Sequence, residues 1–407
     1  MKPFLAAVSI ICSTLANAGD FSAGFAKIEI TPSPGEDEVP TLVSGIKAVT
    51  KVHDPLFVKA LVLSDGNARI AFLSADLIFI PQPVIETILA RLHRQGTFDQ
   101  LYVGITHTHS GAVSETKLDL LADSFVAAAE QAVEALEPVE IGAAKTNVAE
   151  AYNRIVRKDD GSTEMLWTNP ARQENRPVDD TLRILNLRKP DGKTFVNLVN
   201  YTAHPVVTMD LNNVVVSADY PGQMARAMTE ASAGETIFFL GAAGDVNPFD
   251  ADTKPLETAI EKSRVLGTKL ANAALVAISQ IDEYQTAGTF RFESLPLDVP
   301  FHAGHADAGK TMKAAVNTLL LTDDIALASF SGEYFNAFAT RLVSASPARH
   351  TLFLGYSNGY LGYVPTIEAA SFGGYGADPA DISVQVTAGR DHIDAAIASL
   401  NRLAKKY

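Results

Sequence analysis

Four apolar, strand-like runs in this chain pass directly into polar, glycine-rich turns, and this pattern constrains the fold more than any other sequence feature. Residues 102–106 lead into His107-Thr108-His109-Ser110-Gly111, and residues 195–203 end in His204-Pro205. Residues 237–240 end in Gly241-Ala242-Ala243-Gly244-Asp245-Val246-Asn247-Pro248, and residues 325–330 in Ser331-Gly332-Glu333. Ligands in open α/β sheets bind beyond the carboxyl ends of the strands, so such turns can converge on one site.

The segments between these runs alternate in type. Runs 55–64 and 68–75 flank Asp65-Gly66-Asn67 and read as a hairpin. Residues 84–94 place Ile85, Ile88, Leu89 and Leu92 at helical spacing, with Gly96 as a stop. Residues 101–106 read as a strand, and an Ala-rich helix over 118–136 is closed by Pro138. A second hairpin joins 182–187 to 195–201 around Pro190-Asp191-Gly192, followed by a buried strand over 236–240. Pro255 opens a helix to about Ser279, strands follow at 325–330 and 352–354, and 393–403 is an amphipathic helix. Hairpins mixed with strand-then-helix units predict an α/β (α+β) fold with a mixed β-sheet core and covering helices. The polar stretch 158–180, which holds the only tryptophan, Trp167, reads as a long surface loop. Loops of that length are usually functional or disordered.

Composition narrows the function. Lys plus Arg total 33 against 47 Asp plus Glu, a net charge of −14, whereas nucleic acids and anionic membranes attract basic patches. Cys12 is the only cysteine, which excludes an internal disulfide, a Cys-ligated zinc or a thiol nucleophile. Met1-Lys2, the apolar run 3–15 and Ala16-Asn17-Ala18 read as a signal peptide with an A-x-A cleavage site. Cleavage after Ala18 leaves residues 19–407 as one exported domain, periplasmic or secreted, with charge 32 − 47 = −15. Residues 9–11 before Cys12 make a poor lipobox, and no later run reaches the ~18 apolar residues of a membrane span. No stable membrane anchor is therefore expected.

His107-Thr108-His109 is the most informative motif. Alternate residues of an extended segment face the same way, so both imidazoles can address one point. A catalytic zinc takes imidazole and carboxylate ligands and keeps a position open for water. His107, His109 and His204 together, with a glutamate, favour a metal site. Other candidates carry less. His302 and His305 sit in a loop after Pro300, and His53-Asp54 reads as a pair backing the site or as a cap. Asp76 either orients a histidine or caps the next turn. Gly241–Gly244 either offers N–H groups to an oxyanion or makes a tight turn. His93, His350 and His392 read as surface residues.

In order along the chain, these motifs resemble the catalytic domain of the neutral (alkaline, non-lysosomal) ceramidases. The resemblance starts at Ala23-Gly24-Phe25-Ala26-Lys27-Ile28-Glu29-Ile30-Thr31-Pro32 and continues through Leu73-Ser74-Ala75-Asp76-Leu77 and Thr106-His107-Thr108-His109-Ser110-Gly111. It includes Asn153-Arg154, Ala203-His204-Pro205, Ser217-Ala218-Asp219, Gly244-Asp245-Val246, Gly332-Glu333 and Gly362-Tyr363-Val364, and reaches about Gly376. Ceramidases are zinc amidases that cleave the N-acyl bond of ceramide. The resemblance implies Zn2+ held by His107, His204, Glu333 and Tyr363, with His109 and Arg154 at the substrate carbonyl or its oxyanion, and Tyr375 as a further active-site tyrosine. It thereby moves His109 from metal ligand to substrate contact.

Departures from the family pattern are equally specific. The family's Gly-Asp-x-Ser-Pro reads Gly244-Asp245-Val246-Asn247-Pro248 here, so Asn247 stands in place of a serine proposed to take part in catalysis. Asparagine forms no acyl-enzyme, but its amide can donate to an oxyanion. The chain stops at Tyr407, short of the family's C-terminal immunoglobulin-like domain, and residues 158–180 are polar where a lipid-binding rim is apolar. The expected activity is zinc-dependent hydrolysis of a linear N-acyl amide, small or lipid-like, other than ceramide itself. A water of pKa roughly 7 would attack, His109, Arg154 and Asn247 would stabilise the oxyanion, and His109 or Tyr375 would protonate the amine. A zinc esterase or lactonase, and a non-catalytic binding protein on the same scaffold, are the alternatives. Oligomeric state is left open.

Overall fold

The computed structural model describes residues 19–35, 38–41, 45–94, 96–111, 114, 117–209 and 214–405. The expected signal segment, with Cys12, lies outside the described residues. Three open sheets form the frame. The first has the order Gln100–Ile105, Arg69–Ala75, Phe57–Ser64, Ser22–Glu29, Glu137–Pro138. The second runs Glu235–Leu240, Thr194–Tyr201, Thr181–Arg188, Glu140–Asn147, and the third Arg291–Pro300, Thr311–Leu320, Ile325–Ser329, His350–Leu354. This is the expected mixed-sheet α/β architecture.

Each sheet repeats one device. Arg69–Ala75 runs parallel to Gln100–Ile105, Thr194–Tyr201 to Glu235–Leu240, and Ile325–Ser329 to His350–Leu354. Parallel neighbours need a long crossover, usually a helix. Helices Gln82–Arg94, Asp219–Glu230 and Ala337–Ala345 make these crossovers. Each unit therefore delivers two adjacent strand ends pointing the same way, six in all.

Burial explains why the strands read as unbroken apolar runs. Helices cover the outer faces, with Phe125 of Leu118–Glu134 and Leu266 and Leu270 of Leu256–Ile278 in the largest core cluster. The inner faces meet in a second cluster that joins Phe72, Tyr102, Leu198, Phe239, Leu327 and Leu352 across all three sheets. There Phe72 stacks on Tyr102 at 4.8 Å and meets Phe239 edge-on at 6.2 Å. Strands buried on both faces lose the alternation of a half-exposed strand.

Both expected hairpins form, with registers Ser64↔Arg69 and Leu187↔Val196. In the first, Asp65 Oδ1 accepts from the N–H groups of Asn67 and Ala68 at 2.9 and 2.7 Å, and Gly66 supplies φ 81°. Several elements lie outside the sequence expectation: strands Ser22–Glu29, Glu140–Asn147, Arg291–Pro300 and Thr311–Leu320, and helices Asp219–Glu230, Ala337–Ala345 and Ile367–Phe372. Pro296 and Pro300 argue against a strand, yet Arg291–Pro300 is an edge strand, where proline costs no ladder bond. Pro221-Gly222 reads as a breaker but sits in the first turn of its helix, where a missing N–H is harmless. The last helix begins at Ala388 rather than 393. Residues 158–180 are not a free surface loop. Thr163–Met165 pairs with Ile155–Arg157, Asn169 is buried, and Trp167 packs on Val206, Met209 and Ala251.

Helix Leu256–Ile278 lies on helix Asp219–Glu230 at Gly267, where an added Cβ would stand 2.6 Å from both Gln223 Cβ and Met224 N. Alanine is a better helix residue than glycine by about 1 kcal/mol, but backbone overlap of this kind costs about 1–3 kcal/mol. Gly267→Ala is expected to lower stability in urea unfolding, against its propensity gain.

Candidate functional site

The six strand ends carry the polar residues singled out above. His107 follows Gln100–Ile105 with φ 63°, a left-handed backbone rare for a residue with a Cβ. That turn brings its Nδ1 to 2.5 Å from the carbonyl of Ile78, just beyond the neighbouring strand Arg69–Ala75. His204 follows Thr194–Tyr201, and both its backbone N–H and its ring Nδ1 lie 3.1 Å from the Val246 carbonyl, beyond strand Glu235–Leu240. Glu333 follows Ile325–Ser329 and pairs in parallel register with Tyr363. Arg154 follows Ala151–Asn153, which pairs with Val246–Pro248. Its guanidinium donates to the Gly244 carbonyl at 2.8 Å, the Tyr363 hydroxyl at 3.0 Å and Asn247 Oδ1 at 3.3 Å.

These side chains meet. One ring nitrogen from each of His107, His109 and His204 lies within 4.8 Å of the other two, a cluster compatible with a metal ion. His109 Nε2 is 3.3 Å from His107 Nε2, and His204 Nε2 is 3.3 Å from Glu333 Oε2. Glu333 Oε1 accepts the Tyr360 hydroxyl at 2.5 Å. Tyr375, 41% exposed, closes the rim with its ring 5.4 Å from that of Tyr363 and 5.0 Å from Arg154 Cζ. All eight residues expected at the site fall in this one network.

The electrostatics follow from burial. It lowers the His107 imidazole to about 3 and holds His109 and His204 below the usual range, so all three are neutral. Burial pushes the Glu333 carboxyl up, and the hydrogen bond from the Tyr360 hydroxyl is among the contacts that bring it below the usual carboxylate range. Burial likewise raises the Tyr363 phenol. Burial works against the Arg154 charge, and Tyr363 and Glu333 outweigh it.

The tautomers test whether these donors fit a metal. A carbonyl only accepts, so the nitrogen facing it carries the proton. Nδ1–H of His107 and His204 is therefore spent on Ile78 and Val246, leaving both Nε2 lone pairs inward. His204 Nε2 then opposes Glu333 Oε2 as one acceptor facing another, and that oxygen is buried with no hydrogen-bond partner. Two buried acceptors at this distance fit a cation between them. The nitrogen and carboxylate donors are those zinc takes, with the other ring nitrogen of each histidine held by a carbonyl.

Other candidates resolve differently. The Asn247 amide donates to the Trp167 carbonyl at 3.1 Å, so its N–H is not turned toward an oxyanion. The N–H groups of Gly241 and Gly244 are spent on Tyr201 and Tyr334, so these glycines serve a tight turn. Asp76 accepts from Phe57 N at 3.0 Å and orients no histidine; the Ile78 carbonyl does that. Asp54 accepts from Ser217, Ala218 and Gln223 at the start of helix Asp219–Glu230, the cap alternative. His302 and His305 each accept a backbone N–H two residues on. His93 is exposed as expected, but His350 is half-buried and His392 is buried against the Tyr334 hydroxyl at 2.5 Å.

Sequence reasoning missed Tyr356 and Tyr360. The Tyr356 ring lies 4.1 Å from that of His107, and its hydroxyl 3.5 Å from His204 Nε2. The signal was present in Gly355-Tyr356-Ser357-Asn358-Gly359-Tyr360-Leu361-Gly362-Tyr363, an unusual tyrosine and glycine density. Tyr356, Asn358, Gly359 and Gly362 all take positive φ, which folds the three rings back onto the site.

No family model matches the chain. Among solved structures it is similar to the neutral ceramidase from Pseudomonas aeruginosa, at 16% identity and TM-score 0.75 over 95% of this chain and 75% of that one. It is also similar to a ceramidase complexed with C2, at 17% identity and TM-score 0.74 over 95% of this chain and 76% of that one. The chain has a neutral-ceramidase-like fold.

Proposed function

We propose that this protein is a zinc-dependent hydrolase that cleaves the amide bond of an N-acyl substrate with water and forms no covalent intermediate. The observation that carries the reading is the buried pair of acceptors, His204 Nε2 and Glu333 Oε2, 3.3 Å apart and beside the inward Nε2 of His107. The ceramidase-like fold supports the bond class and a lipid-like N-acyl substrate. His107, His204 and Glu333 would hold the ion, with the Tyr363 hydroxyl as fourth donor. When bound, zinc supplies a nucleophilic water of pKa about 7 and polarises the acyl carbonyl.

The remaining work falls to the chain's own groups. Arg154 is buried, and its Nε has no partner, so it retains a donor for the negative oxygen that develops on the carbonyl. Neutral His109 has an unpartnered buried Nδ1 and can carry a proton to the departing amine. Tyr375, at the exposed rim beside Tyr363, is the other candidate for that proton. Residues 158–164 bring Lys158, Asp160 and Glu164 to the surface on the hairpin that follows Arg154 in the chain, a polar stretch that favours amides other than ceramide. The reading extends to export, with residues 1–18 removed and 19–407 as one domain. Among the described residues no helix is long and apolar enough to cross a membrane.

Elemental analysis of the purified protein is expected to give about one zinc per chain, with chelator-sensitive hydrolysis of N-acyl amides. His107→Ala and His204→Ala should each lose zinc and turnover together, and either variant keeping both would contradict the assignment. Turnover of esters or lactones alone would keep the metal and change the bond, while metal-free protein would leave a binding protein on this fold. Tyr360→Phe releases Glu333 Oε1 and is expected to weaken zinc retention about 10–100-fold in chelator competition.

A further inference from the structure

Asn247 is fully buried on the short strand Val246–Pro248, opposite Tyr152. Both ends of its amide are committed. Oδ1 accepts from Arg154 Nη1 at 3.3 Å, and Nδ2 donates to the Trp167 carbonyl at 3.1 Å. A guanidinium only donates and a carbonyl only accepts, so the reversed amide would face donor with donor and acceptor with acceptor. The orientation is therefore fixed by its partners.

The two partners belong to different elements of the fold. Arg154 is the buried cation beside Tyr363 and Glu333. Trp167 belongs to the segment that continues from the hairpin Ile155–Met165, and it packs on Val206 and Met209, shortly after His204 in the chain, and on Ala251. Tyr152 also donates to the Trp167 carbonyl at 2.9 Å, and Leu166 N–H donates to the Arg154 carbonyl at 2.7 Å. Asn247 is the side chain that ties the Arg154 guanidinium to this segment.

We propose that Asn247 is a positioning residue that couples Arg154 to the Trp167 segment, so that seating an acyl oxygen against Arg154 and seating Trp167 against the wall of the site are one event. The part concerning the acyl oxygen rests on the hydrolase reading above; the coupling of Arg154 to Trp167 does not. The donor and acceptor of asparagine sit on separate atoms and reach opposite partners. A serine presents one shorter hydroxyl and cannot span both. The amide nitrogen lone pair is delocalised, so Asn247 makes no bond to carbon and acts only through its two hydrogen bonds.

Trp167 is the only tryptophan of the chain, so intrinsic fluorescence reads this segment alone. Asn247→Asp keeps the shape and the acceptor toward Arg154 and replaces the donor toward Trp167 with a second acceptor. In the purified full-length protein this variant is expected to shift Trp167 emission to the red and to raise its quenching by acrylamide. Octanoate serves as a probe whose carboxylate can occupy the acyl-oxygen position at Arg154. It should change Trp167 emission in the wild-type protein and leave that of Asn247→Asp unchanged. Asn247→Ser, which keeps a small polar side chain, should lose the octanoate response as well. With an amide substrate, kcat should fall about 100-fold through misplacement of Arg154 while KM changes little. Wild-type emission and quenching in Asn247→Asp, or an octanoate response equal to wild type in either variant, would overturn the coupling. Absence of amide turnover in the wild-type protein would count against the hydrolase reading and leave the fluorescence comparison decisive for Asn247.

Discussion

The hydrogen bonds from Nδ1 of His107 and His204 to the carbonyls of Ile78 and Val246 govern the rest of the site. Each fixes one tautomer and one ring orientation, and so turns an Nε2 lone pair inward. Both carbonyls lie beyond strand ends, so they stay in place only if the sheets hold neighbouring ends in register. Removing either bond would free a buried imidazole to rotate and would dissolve the opposition between His204 Nε2 and Glu333 Oε2. Two backbone oxygens thus link the packing of the core to the chemistry of the donors.

The sheets supply that register by repetition. Each of the three parallel pairs places two strand ends side by side, and the loops beyond them are cross-bonded between units. His109 N–H donates to Pro205 O, Gly244 N–H to Tyr334 O, and Asn358 N–H to Val103 O. Asn358 also exchanges side-chain bonds with the backbone of Leu101 and Val103. Loops from all three sheets are therefore stapled to one another around the histidines. The close approach is visible at Gly244, where a Cβ would stand 2.4 Å from the Glu333 carbonyl. Such a site is preorganised by backbone rather than by long flexible side chains.

Much of this was legible in the sequence because it was written in local patterns. The hairpin at Asp65-Gly66-Asn67, the helix of Ile85, Ile88 and Leu92, and the apolar runs into polar turns each have a short-range cause. The grouping of His107, His109, His204 and Glu333 followed from the strand-end rule and from the resemblance together. What escaped depended on distant partners. Arg291–Pro300 is a strand because its prolines face an open edge, which only the sheet order reveals. Helix Asp219–Glu230 hides behind Pro221-Gly222, and its start is capped by Asp54, far away in sequence. Asp76 and Asn247 look like equal candidates in a sequence, but one holds a neighbouring strand and the other bridges Arg154 to Trp167. His392 has the same explanation, since its partner Tyr334 comes from another element.

The proposed function places one cation between His107, His204 and Glu333. Anomalous diffraction from crystals of the purified protein, recorded on both sides of the zinc absorption edge, tests it most directly. A single strong peak is expected among His107 Nε2, His204 Nε2 and Glu333 Oε2. Full zinc content with the peak elsewhere, or a well-ordered site with water at that position in zinc-saturated crystals, would contradict it.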